Sequence, residues 1–186
     1  GLEEYPFDVE AAKKLVEEAG AAGQEITLVT APISQEFAVV SQAAAAAGKA
    51  IGLNIKIETV TPNAYTALFS DPDARAGVDL FYTSWYLSSP DPLEMYGVLR
   101  TGELSNYGNW SNAAFDAATE KALATADTVA RSQFTAQAQK IAQEELPWLP
   151  LYTVPTSVWL GSKITGVAPS INYMYYPWAA TIGSTS

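Results

Sequence analysis

The residues best placed to do chemistry lie between Val78 and Pro92, where V-D-L-F-Y-T-S-W-Y-L-S-S-P-D-P carries an apolar run into an aromatic, proline-broken loop. Val78 to Ser84 predicts a buried strand, and Trp85, Tyr86, Ser88 and Ser89 then emerge into a loop closed by Pro90 and Pro92. A rigid strand that delivers aromatic faces and hydroxyls to a loop is a common way to build a small-molecule site. An indole or phenol face can stack on a sugar, a cation or an apolar side chain. Trp85 can equally be a core aromatic at the end of its strand. Asp79, Asp91 and Asp116 are the carboxylates a glycoside hydrolase would draw on, yet nothing in their spacing sets two of them at a fixed separation across a cleft. Glu144 and Glu145 are adjacent on a predicted helix and diverge, so they read as helix-end charge.

Composition narrows the chemistry further. The chain has 186 residues, enough for one well-buried domain or two small ones. It is 48% hydrophobic and 16% charged, too apolar for disorder. Ten Lys and Arg against twenty Asp and Glu give a formal charge of -10, which repels phosphate backbones and argues against nucleic acid as a partner. There is no cysteine and no histidine. That removes disulfides, thiolate chemistry, most hydrolase triads and most zinc or iron sites, and no cofactor or metal is implied. No apolar run approaches the length needed to cross a bilayer. Gly1-Leu-Glu-Glu has no signal-peptide pattern, which fits either a cytoplasmic chain or one whose leader has been removed.

The elements that must position the loop are readable from periodicity and caps. Asp8 caps a helix with Ala12, Leu15, Val16 and Ala19 on one face, and Gly20 stops it. Glu25 to Thr30 reads as a strand. Ser34 caps a helix carrying Phe37, Val40, Ala44, Ala47 and Ile51, its Ala43 to Ala47 run suiting close packing. Leu53 to Val60 alternates like a half-buried strand. Strand, helix, strand is a βαβ unit with parallel strands. Thr61-Pro62 opens a short helix through about Ser70. Ser111 predicts the cap of a helix bearing Phe115, Ala118, Thr119, Leu123 and Ala126. Another helix spans about Thr128 to Glu145, with Phe134, Ala138, Ile141 and Ala142 on one side, and Pro147 and Pro150 end it. Leu151 to Leu160 reads as a strand that Pro155 pushes toward an edge. The tail holds Tyr173, Met174, Tyr175, Tyr176 and Trp178, an aromatic density that needs covering.

In order along the chain, four segments resemble a known family. They are Tyr5-Pro-Phe-Asp-Val-Glu-Ala-Ala-Lys-Lys-Leu-Val-Glu-Glu-Ala-Gly20; Gly52-Leu53-Asn54-Ile55; the Trp85 to Pro92 loop; and the run from Asn109 through Phe115-Asp116, Ala126-Asp127, Arg131 and Gln139 to Glu145-Leu-Pro-Trp-Leu-Pro-Leu151. The chain resembles the C-terminal lobe of extracellular solute-binding proteins of family 5, the peptide, nickel and oligosaccharide receptors of ABC importers. The resemblance implies an α/β lobe of the periplasmic-binding-protein-like type II kind, with a mixed, mostly parallel sheet flanked by helices. That lobe would span residues 1–168. The aromatic tail, 169–186, would return toward an N-terminal lobe or fold back on its own sheet. Also implied are hinge closure on a solute, delivery to ABC permease subunits, and an extracellular or periplasmic location with a lipid anchor in the longer protein.

The resemblance also weights the site. It places Trp85 at a ligand cleft and brings in Tyr86, Ser88, Ser89, Tyr82, Tyr65 and Trp110 as candidate ligand contacts. Tyr65 can instead cover the core, and Tyr107, Asn109 and Trp110 form a second loop cluster that also matches a glycosylation sequon. In peptide-binding relatives the residue three after this Trp is an Asp that pairs with the ligand's α-amino group. Here it is Ser88, and a hydroxyl cannot supply the charge a buried ammonium needs. Tyr82 stands three before Trp85, where one peptide-receptor branch has a basic residue. Asp91, between its prolines, can replace the carboxylate or act as a turn residue. These departures favour an oligosaccharide or other neutral solute, with a free-amino peptide as the alternative. No covalent chemistry is expected. The competing classes are a carboxylate-dependent glycoside hydrolase and an interaction scaffold gripping a partner by its tail.

Overall fold

Glu25–Thr30 forms strand β1 and Asn54–Thr59 forms β2, paired in parallel from Glu25 opposite Asn54 to Thr30 opposite Thr59. The computed structural model describes residues 5–85, 87, 91–154, 157, 159–167 and 178–185. The chain divides into two compact units, residues 1–84 and 85–186.

In the first unit, helix α1 (Val9–Glu18) starts at Asp8, whose carboxylate accepts from the Ala11 amide at 2.9 Å. It ends as predicted. Gly20 takes φ +66, letting its amide reach the Glu17 carbonyl and the Ala21 amide reach Val16. Its predicted apolar face is largely open, however, with Leu15 65% exposed and no residue buried. Helix α2 (Gln35–Ala50) connects β1 to β2 and completes the βαβ unit. Ser34 sits at its N-cap, but its hydroxyl makes no capping bond. The buried positions of α2 are its smallest, Ser41 and Gly48, whereas Ala47 is exposed. A Cβ on Gly48 would lie 2.6 Å from Ile55 Cδ1 and Cγ1 on β2, so close approach to the sheet is set at these positions.

Helix α3 (Pro62–Ala67) is capped by the Thr61 hydroxyl at the Ala64 amide, 3.2 Å away. It places Tyr65 wholly in the core with Val29, Ala31 and Leu68, and Phe37, Phe69 and Phe81 surround its ring edge-on. Strand β3 is far shorter than the predicted Val78–Ser84. It covers Leu80–Phe81, pairs in parallel with β1, and gives the order β2-β1-β3. Nor is it buried, since Leu80 is exposed. Side chains bond the backbone at both ends. The Asp79 carboxylate accepts from the Thr27 amide at 2.7 Å, and the Tyr65 hydroxyl donates to the Tyr82 carbonyl. At the first end the Asp79 amide still donates to the Thr27 carbonyl at 3.1 Å, and at the second β1 itself stops at Thr30.

The second unit is built on helices α4 (Leu93–Gly97), α5 (Ala113–Ala124) and α6 (Thr128–Glu145). Leu99, Phe115, Ala118 and Ala138 form its core. The cap of α5 is Asn112, not Ser111. The Asn112 carbonyl oxygen accepts from the amides of Ala114 and Phe115, both at 2.9 Å, while its amide donates to Glu145. A serine lacks the reach for both tasks, and the Ser111 hydroxyl bonds Thr101 instead. Buried Ala122 rather than exposed Leu123 continues the α5 face. Asp127 caps α6, and Leu146 ends it in a left-handed conformation before Pro147. No strand occurs among the described residues of 151–160. Leu151, Tyr152, Val154 and Trp159 there are exposed, and prolines at 150 and 155 deny the donors a ladder needs. A short antiparallel pair joins β4 (Ile164–Thr165) to β5 (Gly183–Ser184), after helix α7 (Trp178–Thr181). Residues 168–177, which include Tyr173, Met174, Tyr175 and Tyr176 of the aromatic tail, lie outside the described residues.

Two measurements check this core. Gly48→Ala gains helix propensity but drives a methyl into Ile55, and overpacking costs about 1–3 kcal/mol. A net loss of about 1 kcal/mol is expected in urea unfolding, shrinking in an Ile55→Ala background. Tyr65→Phe deprives the Tyr82 carbonyl of its donor and should cost about 1 kcal/mol. Burial also pushes the Tyr65 hydroxyl up from its ordinary value of 10.0. The unfolded chain therefore releases this proton first, and its contribution, complete below about pH 10, is lost as pH rises further. Unfolding followed between about pH 8 and pH 11 should show a shallower fall for Tyr65→Phe than for the parent, with half-buried Tyr96, also raised, supplying part of the remaining slope.

Candidate functional site

Where β3 ends, the chain turns through Tyr82, Thr83 and Ser84 to Trp85. The Trp85 ring lies against Trp148, with centroids 5.2 Å apart and planes tilted by 58°. Trp148 in turn stacks on Tyr107 at 6.0 Å with an interplanar angle of 11°. All three are half-buried and come from separate segments: the approach to the loop, the turn before α5 and the exit from α6. Among the described residues, the buried Trp85 indole Nε1–H meets no acceptor. A buried donor without a partner costs about 1–3 kcal/mol, so this N–H gains from any carbonyl or hydroxyl that reaches it.

The other candidates are distributed by role. Tyr86, Ser88 and Ser89 lie outside the described residues. Tyr82 is half-buried, meets Phe37 edge-on at 5.0 Å and donates its hydroxyl to Glu36 Oε1 at 2.8 Å. Tyr65 is engaged in the core, its hydroxyl committed to the Tyr82 carbonyl. Trp110 packs edge-on against Phe115 at 4.8 Å, and its Nε1–H donates to Glu145 Oε2 at 2.7 Å. Buried Asn106 holds the Trp110 turn, accepting from its amide at 3.1 Å and donating to its carbonyl at 2.7 Å. Asn109 adopts a left-handed φ of 50 at the exposed tip of that turn.

The carboxylates proposed for hydrolysis are each committed to the backbone. Asp79 holds Thr27, and Asp116 accepts from the Thr101 amide at 3.0 Å. Asp91 accepts from the Leu93 amide at 3.0 Å, starting α4, and forms an ion pair with Arg131 on α6. It is a turn residue with a charged partner. Glu145 is more than helix-end charge, since it gathers both Trp110 and Asn112. Among the described residues, no group of three or more Asp or Glu side chains is placed to hold a metal ion.

Trp148, Arg131 and Asn106 were not singled out as site residues by their types or spacing. Trp148 had one local signal: a tryptophan held between Pro147 and Pro150 is a loop aromatic set for a tertiary contact. Arg131 and Asn106 act on partners brought together only by folding.

Comparison with known proteins follows this geometry. The peptide transport periplasmic protein SapA of Haemophilus influenzae is 29% identical over 120 residues, covering 62% of this chain and 21% of that protein. The crystal structure of the ABC transporter substrate-binding protein CtaP from Listeria monocytogenes superposes with a TM-score of 0.71 at 26% identity, over 77% of this chain and 29% of that one. A dipeptide-binding protein from Pseudoalteromonas sp. SM9913, solved in complex with Met-Leu, gives a TM-score of 0.65 at 28% identity, over 76% of this chain and 29% of that one. The chain thus spans between about a fifth and three tenths of the length of these proteins. The fold is of the type II periplasmic-binding-protein class, with a parallel sheet flanked by helices. The model of the bacterial extracellular solute-binding proteins, family 5 Middle, matches residues 2–106, more than half of the chain, and the chain belongs to that family.

Proposed function

We propose that this chain is the solute-capturing lobe of an ABC-importer substrate-binding protein, working in the periplasm or outside the cell, and that its solute is a short peptide. The observation that carries the reading is the position of the family match, because residues 2–106 contain the whole Val78–Pro92 segment. The names of the relatives supply the ligand class: SapA is a peptide transport protein, and the Pseudoalteromonas protein holds Met-Leu. The oligosaccharide expected from Ser88 has no counterpart among the relatives described above. Trp85 forms one wall of the site, and Tyr86, Ser88 and Ser89 are further candidate contacts. The partners are an N-terminal lobe of the same protein and the permease subunits of the importer, and a lipid anchor belongs to the longer protein. Closure of the lobes on the ligand signals occupancy without a covalent step. The backbone duties of Asp79, Asp91 and Asp116 support binding rather than hydrolysis.

Ser88 shapes the mode of peptide binding. With a hydroxyl where a carboxylate pairs with the α-amino group, and Asp91 occupied by Arg131, recognition rests on the peptide main chain and apolar side chains. Calorimetry on the intact protein should show about micromolar or tighter binding of Met-Leu, a change of less than about threefold on N-acetylation, and at least a tenfold loss in Trp85→Ala. The 186-residue chain alone should bind at least tenfold more weakly. Binding of a maltooligosaccharide but of no peptide would replace this reading with a neutral-sugar receptor. Turnover of chromogenic glycosides, abolished by Asp91→Asn, would replace it with an enzyme.

A further inference from the structure

The turn that carries Tyr107 and the exit of α6 run past each other in opposite directions. Tyr107 stacks on Trp148 at 6.0 Å. One step along the turn and one step back along the exit, a Cβ on Gly108 would lie 3.8 Å from the Pro147 carbonyl oxygen. Two steps further, the Trp110 indole N–H donates to Glu145 Oε2 at 2.7 Å. Residues 107–110 and 145–148 therefore keep one register along their length. Glu145 closes it at the far end, because its other oxygen accepts from the Asn112 side-chain amide at 2.6 Å and Asn112 caps α5. The backbone between these rungs is restricted: Asn106 bonds both the amide and the carbonyl of Trp110, Leu146 is left-handed, and Pro147 has a fixed φ. Trp110 and Trp148 both pack against the core of the unit, and the Trp85 ring lies against Trp148 at 5.2 Å.

We propose that Glu145 is a positioning residue for the Trp85 wall: by holding Trp110 and Asn112 it sets the register in which the turn and the helix exit pass, and with it the place of the Tyr107–Trp148 stack against which Trp85 rests. The inference rests on the receptor reading above only for its effect on affinity. Glu145 is exposed, so water readily replaces its partners and its net contribution to global stability is modest. Its leverage is geometric. A carboxylate that takes charge-assisted bonds from two donors has a narrow range of positions in which both are made. Aromatic pairs are less exacting, being favourable over centroid separations of about 4.5–7 Å. The polar rung, rather than the stack, therefore specifies the register. A displacement of a contact residue by about an ångström is enough to weaken a site substantially. On this assignment Trp110, whose N–H is committed to Glu145, serves the site by fixing Trp148.

The test uses the intact protein and two readouts. Glu145→Ala should weaken Met-Leu binding about fivefold or more in calorimetry, while the thermal midpoint moves by no more than about 3 °C. Glu145→Gln, which keeps an acceptor oxygen for Trp110, should recover most of the affinity. The second readout needs no ligand. In 15N-tryptophan-labelled protein, Glu145→Ala should shift the indole N–H resonances of Trp85 and Trp148 as well as that of Trp110, while that of the exposed Trp159 stays in place. Trp110→Phe keeps a ring and removes the donor, so it should shift Trp85 and Trp148 likewise, and Glu145→Ala should add little in that background. Should Glu145→Ala fail to fold, Trp110→Phe carries the same resonance test. Unchanged Trp85 and Trp148 resonances would overturn the proposal, as would affinity within twofold of the parent for a parent that binds. Fully additive effects of the two substitutions, or a loss in Glu145→Gln equal to that in Glu145→Ala, would overturn the hydrogen-bond mechanism. If the parent binds no peptide, the peptide reading fails by itself, and the indole shifts alone decide whether Glu145 positions Trp85.

Discussion

The Tyr65 hydroxyl takes the Tyr82 carbonyl where the third strand and its partner β1 both end, and the exit of the chain toward the candidate site is held by that one bond. The register sets Tyr82 opposite Thr30, the last residue of β1, and Ser84 opposite Pro32, which has no amide to donate. Pairing is confined to Leu80 and Phe81. The chain leaves the sheet three residues before Trp85. Burial of Tyr65 among Phe37, Phe69 and Phe81 makes the bond costly to lose, since water cannot easily replace the donor there. The core of the first unit and the release of the loop are thus the same piece of chemistry.

A similar economy governs the acidic residues of the second unit. The excess of carboxylates makes nucleic-acid binding unfavourable, but it leaves open what each carboxylate does. Glu145 holds Trp110 and Asn112, Asp116 holds Thr101, and Asp91 holds Leu93 and Arg131. Asn106 performs a comparable task without charge at the Trp110 turn. These groups stand in for regular secondary structure over the stretch between α4 and α5, where the backbone has no ladder to satisfy it.

What was legible in the sequence was the part governed by local rules. Asp8 and Gly20 obey capping rules, the alternation of Leu53–Val60 marks β2, and the βαβ unit appears with β1 at its expected bounds. Asn112 displaced Ser111 because its amide also serves Glu145, 33 residues away, and no local rule contains that partner. The run from Leu151 to Leu160 has strand-like residues but no strand to pair with, and composition alone cannot supply one. The stripe of α2 shifted toward Ser41 and Gly48 because contact with Ile55, rather than hydrophobicity, chose its buried face. In the site, Trp85 was legible from its place after an apolar run. Its contact with Trp148 is a pairing across 63 positions (148 − 85), invisible to any window of sequence.

The departure at Ser88 is best understood together with Asp91. A receptor that pairs a buried ammonium must keep a carboxylate available for it, because an unpaired charge in a closed site is strongly disfavoured. Here the loop's acidic residue is Asp91, and Arg131 already balances its charge. Turning Asp91 toward a ligand amine would leave Arg131 without that partner and release the Leu93 amide, so the exchange forfeits contacts on two elements. The Asp91 carboxylate is thus committed to the start of α4 and the beginning of α6. Under the receptor reading proposed above, a site without a free carboxylate favours ligands that present main-chain carbonyls and apolar side chains over those defined by a terminal charge. A peptide satisfies it without its ammonium, which reconciles a serine at position 88 with membership in a family whose relatives carry peptides.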